Sequence, residues 1–80
     1  MKTIGYTIAA RRQFRRLPLR AREQISAKLR RYAETGAGDV TMLKGQPGAR
    51  LRAGDYRAIF VEKEDAIEAR AVGHRRDIYT

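Results

Sequence analysis

The spacing of apolar residues changes at Gly36, and this change constrains the fold more than any other feature of the sequence. Between residues 9 and 35 the larger apolar side chains recur every three or four positions, as on one face of a helix. After Gly36 they alternate within short runs separated by glycine-containing turns, as in strands. Helices followed by strands indicate an α+β domain in which a helix pair covers one sheet.

The first half of the chain predicts one strand and two helices. Residues 3–8 are rich in β-branched and aromatic side chains and predict a strand. Helical spacing predicts a helix over residues 9–17, which Pro18 ends because the residue before a proline avoids helical backbone angles. A second helix is predicted over residues 19–35, with Gly36 as its C-terminal cap. The two helices form an αα-hairpin.

The second half predicts strands over residues 40–44, 49–53, 56–62 and 66–72, followed by a polar tail. Gly54 and Asp55 are typical of a two-residue hairpin turn. The sequence therefore predicts one domain over residues 1–80. We expect a β-α-α-β-β-β(-β) order, with a small antiparallel sheet packed against the N-terminal αα-hairpin.

The composition excludes several classes of function. The 80 residues include no cysteine and one histidine, which argues against thiol catalysis and against cysteine- or histidine-rich metal sites. We therefore expect no metal and no cofactor. No apolar run approaches the ~20 residues of a membrane helix, so we expect a cytoplasmic protein with no membrane partner.

The charge points to an acidic partner. Eighteen Lys and Arg residues face nine Asp and Glu residues, which gives a net charge of +9. Most of the basic residues are arginine, whose planar guanidinium binds phosphate through two parallel hydrogen bonds. The sequence therefore predicts a nucleic acid or an acidic protein as partner.

Three arginines converge if Gly54 and Asp55 form the predicted turn. Arg52 then lies opposite Arg57, and Arg50 lies on the same face of its strand as Arg52. Like charges opposite one another destabilise a sheet, so such a cluster without an intervening acid favours a site for an anion. The alternative is that the guanidiniums are solvated while their aliphatic stems cover apolar surface.

Two residues near the end of the chain are further candidates. His74 carries the only imidazole, the side chain that most often transfers protons near neutral pH, although a single histidine in a basic tail is more often an ordinary surface residue. Tyr79 is suited to stacking on an unpaired base or to anchoring the last residues.

Four segments resemble the RelE/ParE superfamily, the toxins of bacterial toxin–antitoxin systems. They are RRQFRRLP (residues 11–18), LKG (43–45), LRAGDYRAIF (51–60) and VGHRRDIY (72–79), and their order agrees with the predicted elements. The resemblance runs along essentially the whole chain. It implies a RelE-like fold and a ribosome-dependent mRNA endonuclease that cleaves by attack of a 2′-OH on the adjacent phosphate. The implied partners are an acidic antitoxin, the ribosome with its mRNA, and operator DNA for the toxin–antitoxin complex.

The same resemblance implies a catalytic set. Arg57 occupies the position of the phosphate-binding arginine, and Arg75 that of the arginine after the last strand. Tyr79 matches the tyrosine that stacks on the mRNA base. His74 lies where family members carry lysine or histidine, and it becomes the predicted proton-transfer residue.

The sequence also predicts a set of substrate-binding residues. Arg50 falls where RelE carries a functional lysine, and Gly48 stands at a second lysine position two residues earlier. Arg52 and Lys44 complete the predicted set. Two other functions remain open at this stage: a ParE-like inhibitor of DNA gyrase, and a basic nucleic-acid-binding module without catalysis.

Overall fold

The computed structural model describes residues 1–78, which form two helices and five strands. The elements are β1 (Thr3–Tyr6), α1 (Ile8–Arg16), α2 (Leu19–Thr35), β2 (Val40–Met42), β3 (Ala49–Ala53), β4 (Tyr56–Glu62) and β5 (Ala66–His74). The strands make one sheet in the order β1-β5-β4-β3-β2. Within the described residues, no helix has the length and apolar character needed to cross a membrane.

The α+β fold with an N-terminal helix pair is confirmed. Strands β2 to β5 pair antiparallel, as predicted, whereas β1 pairs parallel with β5. The sheet is therefore mixed. Alternation along a strand reveals which residues share a face but not the direction of the neighbouring strand, so the sequence pattern could not identify this one parallel pair.

The first helix begins one residue earlier than predicted. Thr7 caps it, because the Thr7 side-chain oxygen accepts a hydrogen bond from the N–H of Ala10 at 3.1 Å. Strand β1 therefore ends at Tyr6, whereas the predicted strand also included residues 7 and 8. The second helix ends where predicted: Gly36 has φ +76° and its N–H donates to the carbonyl of Tyr32 at 2.8 Å.

The last strand is longer than predicted. Residues 73 and 74, expected in a polar tail, belong to β5, because Gly73 pairs with Arg57 and His74 pairs with Tyr56. In contrast, β2 stops at Met42, two residues before its predicted end. The extension of β5 matters for function because it places His74, a predicted site residue, within the sheet and opposite Tyr56.

The core lies between the helices and one face of the sheet. Phe60, Leu51 and Ile67 from the sheet meet Ile25 and Leu29 from α2, and all five side chains are fully buried. Burial alternates along β3, so its other side chains point away from the helices. We call that second surface the open face of the sheet.

A polar network joins three segments of the chain at one end of the sheet. The Glu62 carboxylate accepts hydrogen bonds from Lys2 Nζ at 2.6 Å and from the Tyr32 hydroxyl at 2.8 Å. Lys2 also donates to the Lys63 carbonyl at 2.7 Å. The bonds from Lys2 and Tyr32 lower the pKa of Glu62, and the bond to Glu62 raises the pKa of Tyr32.

This network predicts a pH-dependent contribution to stability. A carboxylate whose pKa is lowered on folding stabilises the native state above its ordinary pKa of 4.5, and the contribution is lost as pH falls through the lower native value. Glu62→Gln should therefore reduce the free energy of unfolding at pH 7, by less than about 1 kcal/mol because the pair is partly exposed.

Urea denaturation of both proteins across pH 7 to 3 measures the effect. The difference between them should shrink in acid. Glu64→Gln, in the exposed turn between β4 and β5, removes a carboxylate outside the network and is the matched control. A difference for Glu62→Gln that persists unchanged in acid would contradict the assignment.

Candidate anion-binding site

The hairpin between β3 and β4 sets the geometry of the site. Gly54 adopts φ +62°, a conformation that glycine reaches without the steric penalty of a side chain. The resulting two-residue turn pairs Arg52 with Arg57 and Ala53 with Tyr56. The predicted register is confirmed, and it places two guanidiniums on adjacent strands at the same level.

A pocket on the open face collects the clustered arginines. Arg50, Arg52 and Arg57 line it together with Asp39 and Thr41, and its volume is about 270 Å³. Thr41 belongs to the same face because it pairs with Arg50 across the β2–β3 ladder. We call this surface the arginine pocket. Guanidiniums from two strands around one cavity provide several N–H donors for an anionic ligand.

Asp39 adds a carboxylate that the sequence pattern did not place here. Its Oδ2 atom lies 3.9 Å from Nη1 of Arg52, and its carbonyl accepts the Arg52 N–H at 2.9 Å. The expectation of a cluster without an intervening acid was wrong. Asp39 precedes β2 and reaches Arg52 only through strand pairing. Three guanidiniums and one carboxylate still leave the pocket with an excess of positive charge.

Arg57 is held in place by hydrogen bonds to its own turn. Its Nη1 atom donates to the carbonyls of Gly54 at 2.7 Å and Tyr56 at 2.9 Å, and the residue is half-buried. These bonds fix the guanidinium against the hairpin turn. Because a guanidinium has five N–H donors, Arg57 can hold the turn and still donate to an anion.

Arg75 lies beside the same turn. Its backbone N–H donates to the Asp55 carbonyl at 2.8 Å, and its Nε atom lies 3.9 Å from the Asp55 carboxylate. The side chain is half-exposed and does not line the arginine pocket. Arg57 and Arg75 therefore contact neighbouring residues of one turn, at one end of the sheet.

His74 faces the other side of the sheet. Its ring contacts the Tyr56 ring edge-on, with centroids 5.3 Å apart, and its Nδ1 atom accepts the Arg76 N–H at 3.1 Å. Since consecutive residues of a strand point to opposite faces, Tyr56 and Arg57 separate the imidazole from the arginine pocket. The predicted proton-transfer residue and the arginine pocket lie at one end of the sheet, on opposite faces.

Two predicted site residues remain, Lys44 and Tyr79. Lys44 is exposed in the loop between β2 and β3 and does not line the arginine pocket. Tyr79 lies outside the described residues. Within residues 1–78, no group of three histidine, aspartate or glutamate side chains is arranged to hold a metal ion.

A second cavity, of about 450 Å³, was not expected from the sequence. It lies on the helix side of the sheet, between Leu17 and Pro18 at the joint of the two helices, the Tyr56–His74 pair, and Ile78. We call it the helix-side cavity. Its lining comes from segments far apart along the chain, so no local sequence signal could have revealed it.

Gly48, at the position where RelE carries a second lysine, has a structural role here. It adopts φ +117°, and a Cβ atom at this position would lie 3.0 Å from the Phe60 carbonyl oxygen. Its own carbonyl accepts the Leu43 N–H at 3.0 Å, which closes the loop before β3. The backbone at this position therefore does not accommodate a lysine side chain without strain.

Substitution of Gly48 should accordingly destabilise the fold. Gly48→Ala is expected to lower the free energy of unfolding by about 1–3 kcal/mol, the cost of holding a residue with a side chain in a sparsely populated conformation. Gly5→Ala is the control, because a Cβ atom there meets nothing within 4 Å and its φ is not in the positive region. Thermal unfolding of the two variants compares them; equal stability would contradict this role for Gly48.

Comparison with known structures identifies the fold. The arrangement is the α+β fold of small toxins found in toxin–antitoxin complexes, and it is the RelE fold in particular. The RelB–RelE complex of Methanococcus jannaschii matches with a TM-score of 0.76 and 23% identity, covering 92% of this chain and 93% of that one. The isolated RelE toxin of E. coli matches with a TM-score of 0.76 and 23% identity, covering 99% and 92%.

The YoeB dimer from Staphylococcus aureus also matches, with a TM-score of 0.76 and 14% identity over 91% of this chain and 95% of that one. No protein-family model matches the sequence, and no curated protein matches it significantly. The predicted resemblance to RelE toxins is confirmed in the fold.

Proposed function

We propose that this protein is the toxin of a type II toxin–antitoxin system and acts as a metal-independent, ribosome-dependent mRNA endonuclease. The observation that carries the proposal is the arginine pocket on the open face of a RelE-like fold. RelE-fold chains are found in complexes with RelB antitoxins, which supports an antitoxin as partner here. Because this chain has a net charge of +9, we expect its antitoxin to be acidic.

RNA supplies its own nucleophile in the proposed reaction. The 2′-oxygen attacks the adjacent phosphorus and forms a bond to it, while the bond from phosphorus to the 5′-oxygen breaks. A base removes the proton from the 2′-OH and an acid delivers one to the departing 5′-oxygen. The products are a 2′,3′-cyclic phosphate and a free 5′-OH. The protein must therefore orient the phosphate and stabilise its added negative charge.

The arginine pocket supplies that stabilisation in our proposal. Arg57 donates to the scissile phosphate from its fixed position on the turn, with Arg50 and Arg52 beside it. Guanidinium donors held in place before the reaction need no reorganisation as charge develops. Arg75, next to the turn, binds a phosphate further along the strand. Lys44, in the loop between β2 and β3 at the other end of β3, is proposed to contact a more distant phosphate of the RNA.

His74 is proposed as the proton-transfer group and Tyr79 as the base-stacking group. A proton-transfer group must lie within hydrogen-bond reach of the 2′- or 5′-oxygen of the scissile phosphate. Because the imidazole and the arginine pocket lie on opposite faces, the RNA must bend around the end of the sheet so that this phosphate lies at that end, within reach of both Arg57 and His74. The ribosome is the proposed scaffold that imposes this bend. This requirement explains why the isolated protein would be a poor nuclease.

Removal of Arg57 tests the main proposal. Arg57→Ala should reduce mRNA cleavage by about 10²–10³-fold, the usual cost of deleting a donor that stabilises the transition state. Arg70→Ala removes the same charge outside the pocket, from a side chain paired with Glu68, and should cleave normally. The parent and both variants are induced in cells, and primer extension on an abundant mRNA locates the cuts.

Cuts within translated codons for the parent and Arg70→Ala, and few for Arg57→Ala, are the expected result. Intact message with broken chromosomes would instead support a gyrase inhibitor. Arrest of growth without either change would support a non-catalytic nucleic-acid-binding protein. Circular dichroism of the purified variants confirms that both are folded.

A second variant blocks the pocket without removing an arginine. Gly73 pairs with Arg57, and a Cβ atom added there meets nothing within 4 Å. Gly73→Glu should place a carboxylate beside Arg57 and compete with phosphate, whereas Gly73→Gln has the same size without the charge. In a reconstituted translation reaction, Gly73→Glu should cleave mRNA at least about tenfold more slowly than Gly73→Gln. Equal rates would count against phosphate binding at Arg57.

The role of His74 is tested by a variant that keeps its ring. His74→Phe preserves an aromatic contact with Tyr56 but cannot transfer a proton. If His74 is the general acid or base, single-turnover cleavage on ribosomes should slow by about 10²–10⁴-fold. A rate equal to that of the parent would make His74 a structural residue only.

A further inference from the structure

We propose that the helix-side cavity binds a nucleobase of the same RNA strand whose phosphate occupies the arginine pocket. The inference rests on the proposed function and extends it, because it assigns a base-binding cavity between the helix joint and β5, in addition to the stacking proposed for Tyr79. The ligand class is a single-stranded ribonucleotide whose base is unpaired.

The walls of the cavity suit a flat aromatic ligand. Tyr56 and His74 stand edge-on with an angle of 81° between their planes, so together they present a ring face beside a ring edge. Leu17 and Pro18 at the helix joint and Val72 in β5 add apolar surface. The volume of about 450 Å³ lies within the ~300–1,000 Å³ of small-molecule sites.

Polar groups lie around these apolar walls. The Gln13 side-chain oxygen accepts the Val72 N–H at 2.9 Å, which orients the carboxamide and leaves its NH₂ group as a donor. Arg16 contributes a second donor group, and Asp77 a carboxylate in a turn closed by its N–H on the His74 carbonyl at 2.9 Å. Donors and an acceptor around an apolar slot match the edge and faces of a nucleobase.

The position of the cavity connects it to the arginine pocket. Tyr56 and Arg57 are consecutive, and their partners His74 and Gly73 are consecutive on β5. The cavity and the Arg57 side of the pocket therefore lie on opposite faces of two neighbouring residue pairs. A strand passing around this end of the sheet would run beside Arg75, whose guanidinium is next to the hairpin turn. One chain of nucleotides can thus reach both sites.

Nucleosides test the cavity separately from the pocket. Adenosine and guanosine carry a base without phosphate, and ribose 5-phosphate carries a phosphate without a base. Each is titrated into the isotope-labelled chain and followed by NMR. We expect the nucleosides to shift the Gln13, Val72 and His74 signals, and ribose 5-phosphate to shift the Arg52 and Arg57 signals.

The outcomes separate the two proposals. If ribose 5-phosphate shifts the arginine signals while nucleosides leave the cavity unchanged, the base subsite is wrong and the arginine pocket stands. If nucleosides shift the cavity signals and ribose 5-phosphate shifts nothing, the base subsite is supported and the phosphate site is wrong. If an acidic peptide shifts the cavity signals and nucleosides do not, the cavity is a protein-docking surface instead.

Variants of the cavity give a second measurement. His74→Ala should weaken nucleoside binding about tenfold, the equivalent of one lost stacking contact, whereas His74→Phe should retain it. Ile78→Trp should fill the cavity and abolish binding, and Arg70→Ala should bind as the parent does. Retained binding in both His74→Ala and Ile78→Trp would overturn the assignment. Should a variant fail to fold, the titration of the unaltered chain decides.

Discussion

The two-residue turn at Gly54 and Asp55 fixes the register on which the rest of the sheet depends. It sets Arg52 opposite Arg57 and thereby decides which side chains of β3 and β4 face the helices. A slip of one residue would bring the arginines into the core and expose Leu51 and Phe60. Burying those two side chains therefore holds the arginines on the open face.

This register brings guanidiniums together, and other contacts within the fold partly offset their repulsion. Asp39 approaches Arg52, and Arg57 donates to two carbonyls of its own turn. These contacts reduce the repulsion between guanidiniums but leave the pocket positive. A pocket that remains positive in the native state lowers the cost of bringing a phosphate to it, since the donors of Arg57 are already oriented by the turn. The same hairpin therefore reduces the repulsion between the arginines and orients the donors of the proposed phosphate site.

In the function that we propose, the two faces of the sheet bind different parts of a nucleotide. The open face holds charge, and the helix side holds apolar and aromatic surface around Tyr56 and His74. A nucleotide has the same division between phosphate and base. Because Arg75 lies at the turn between the two sides, the end of the sheet can follow the path of one RNA strand.

The sequence by itself determined the order of the elements, the helix pair broken at Pro18, and the Arg52–Arg57 pair, because these follow from local backbone preferences and from spacing within one hairpin. Only the tertiary structure decided that β1 pairs parallel with β5, that Asp39 lies beside Arg52, and that His74 faces the helices. Each of these depends on segments distant along the chain. Local patterns carry no information on such contacts, since burial of the whole core selects them.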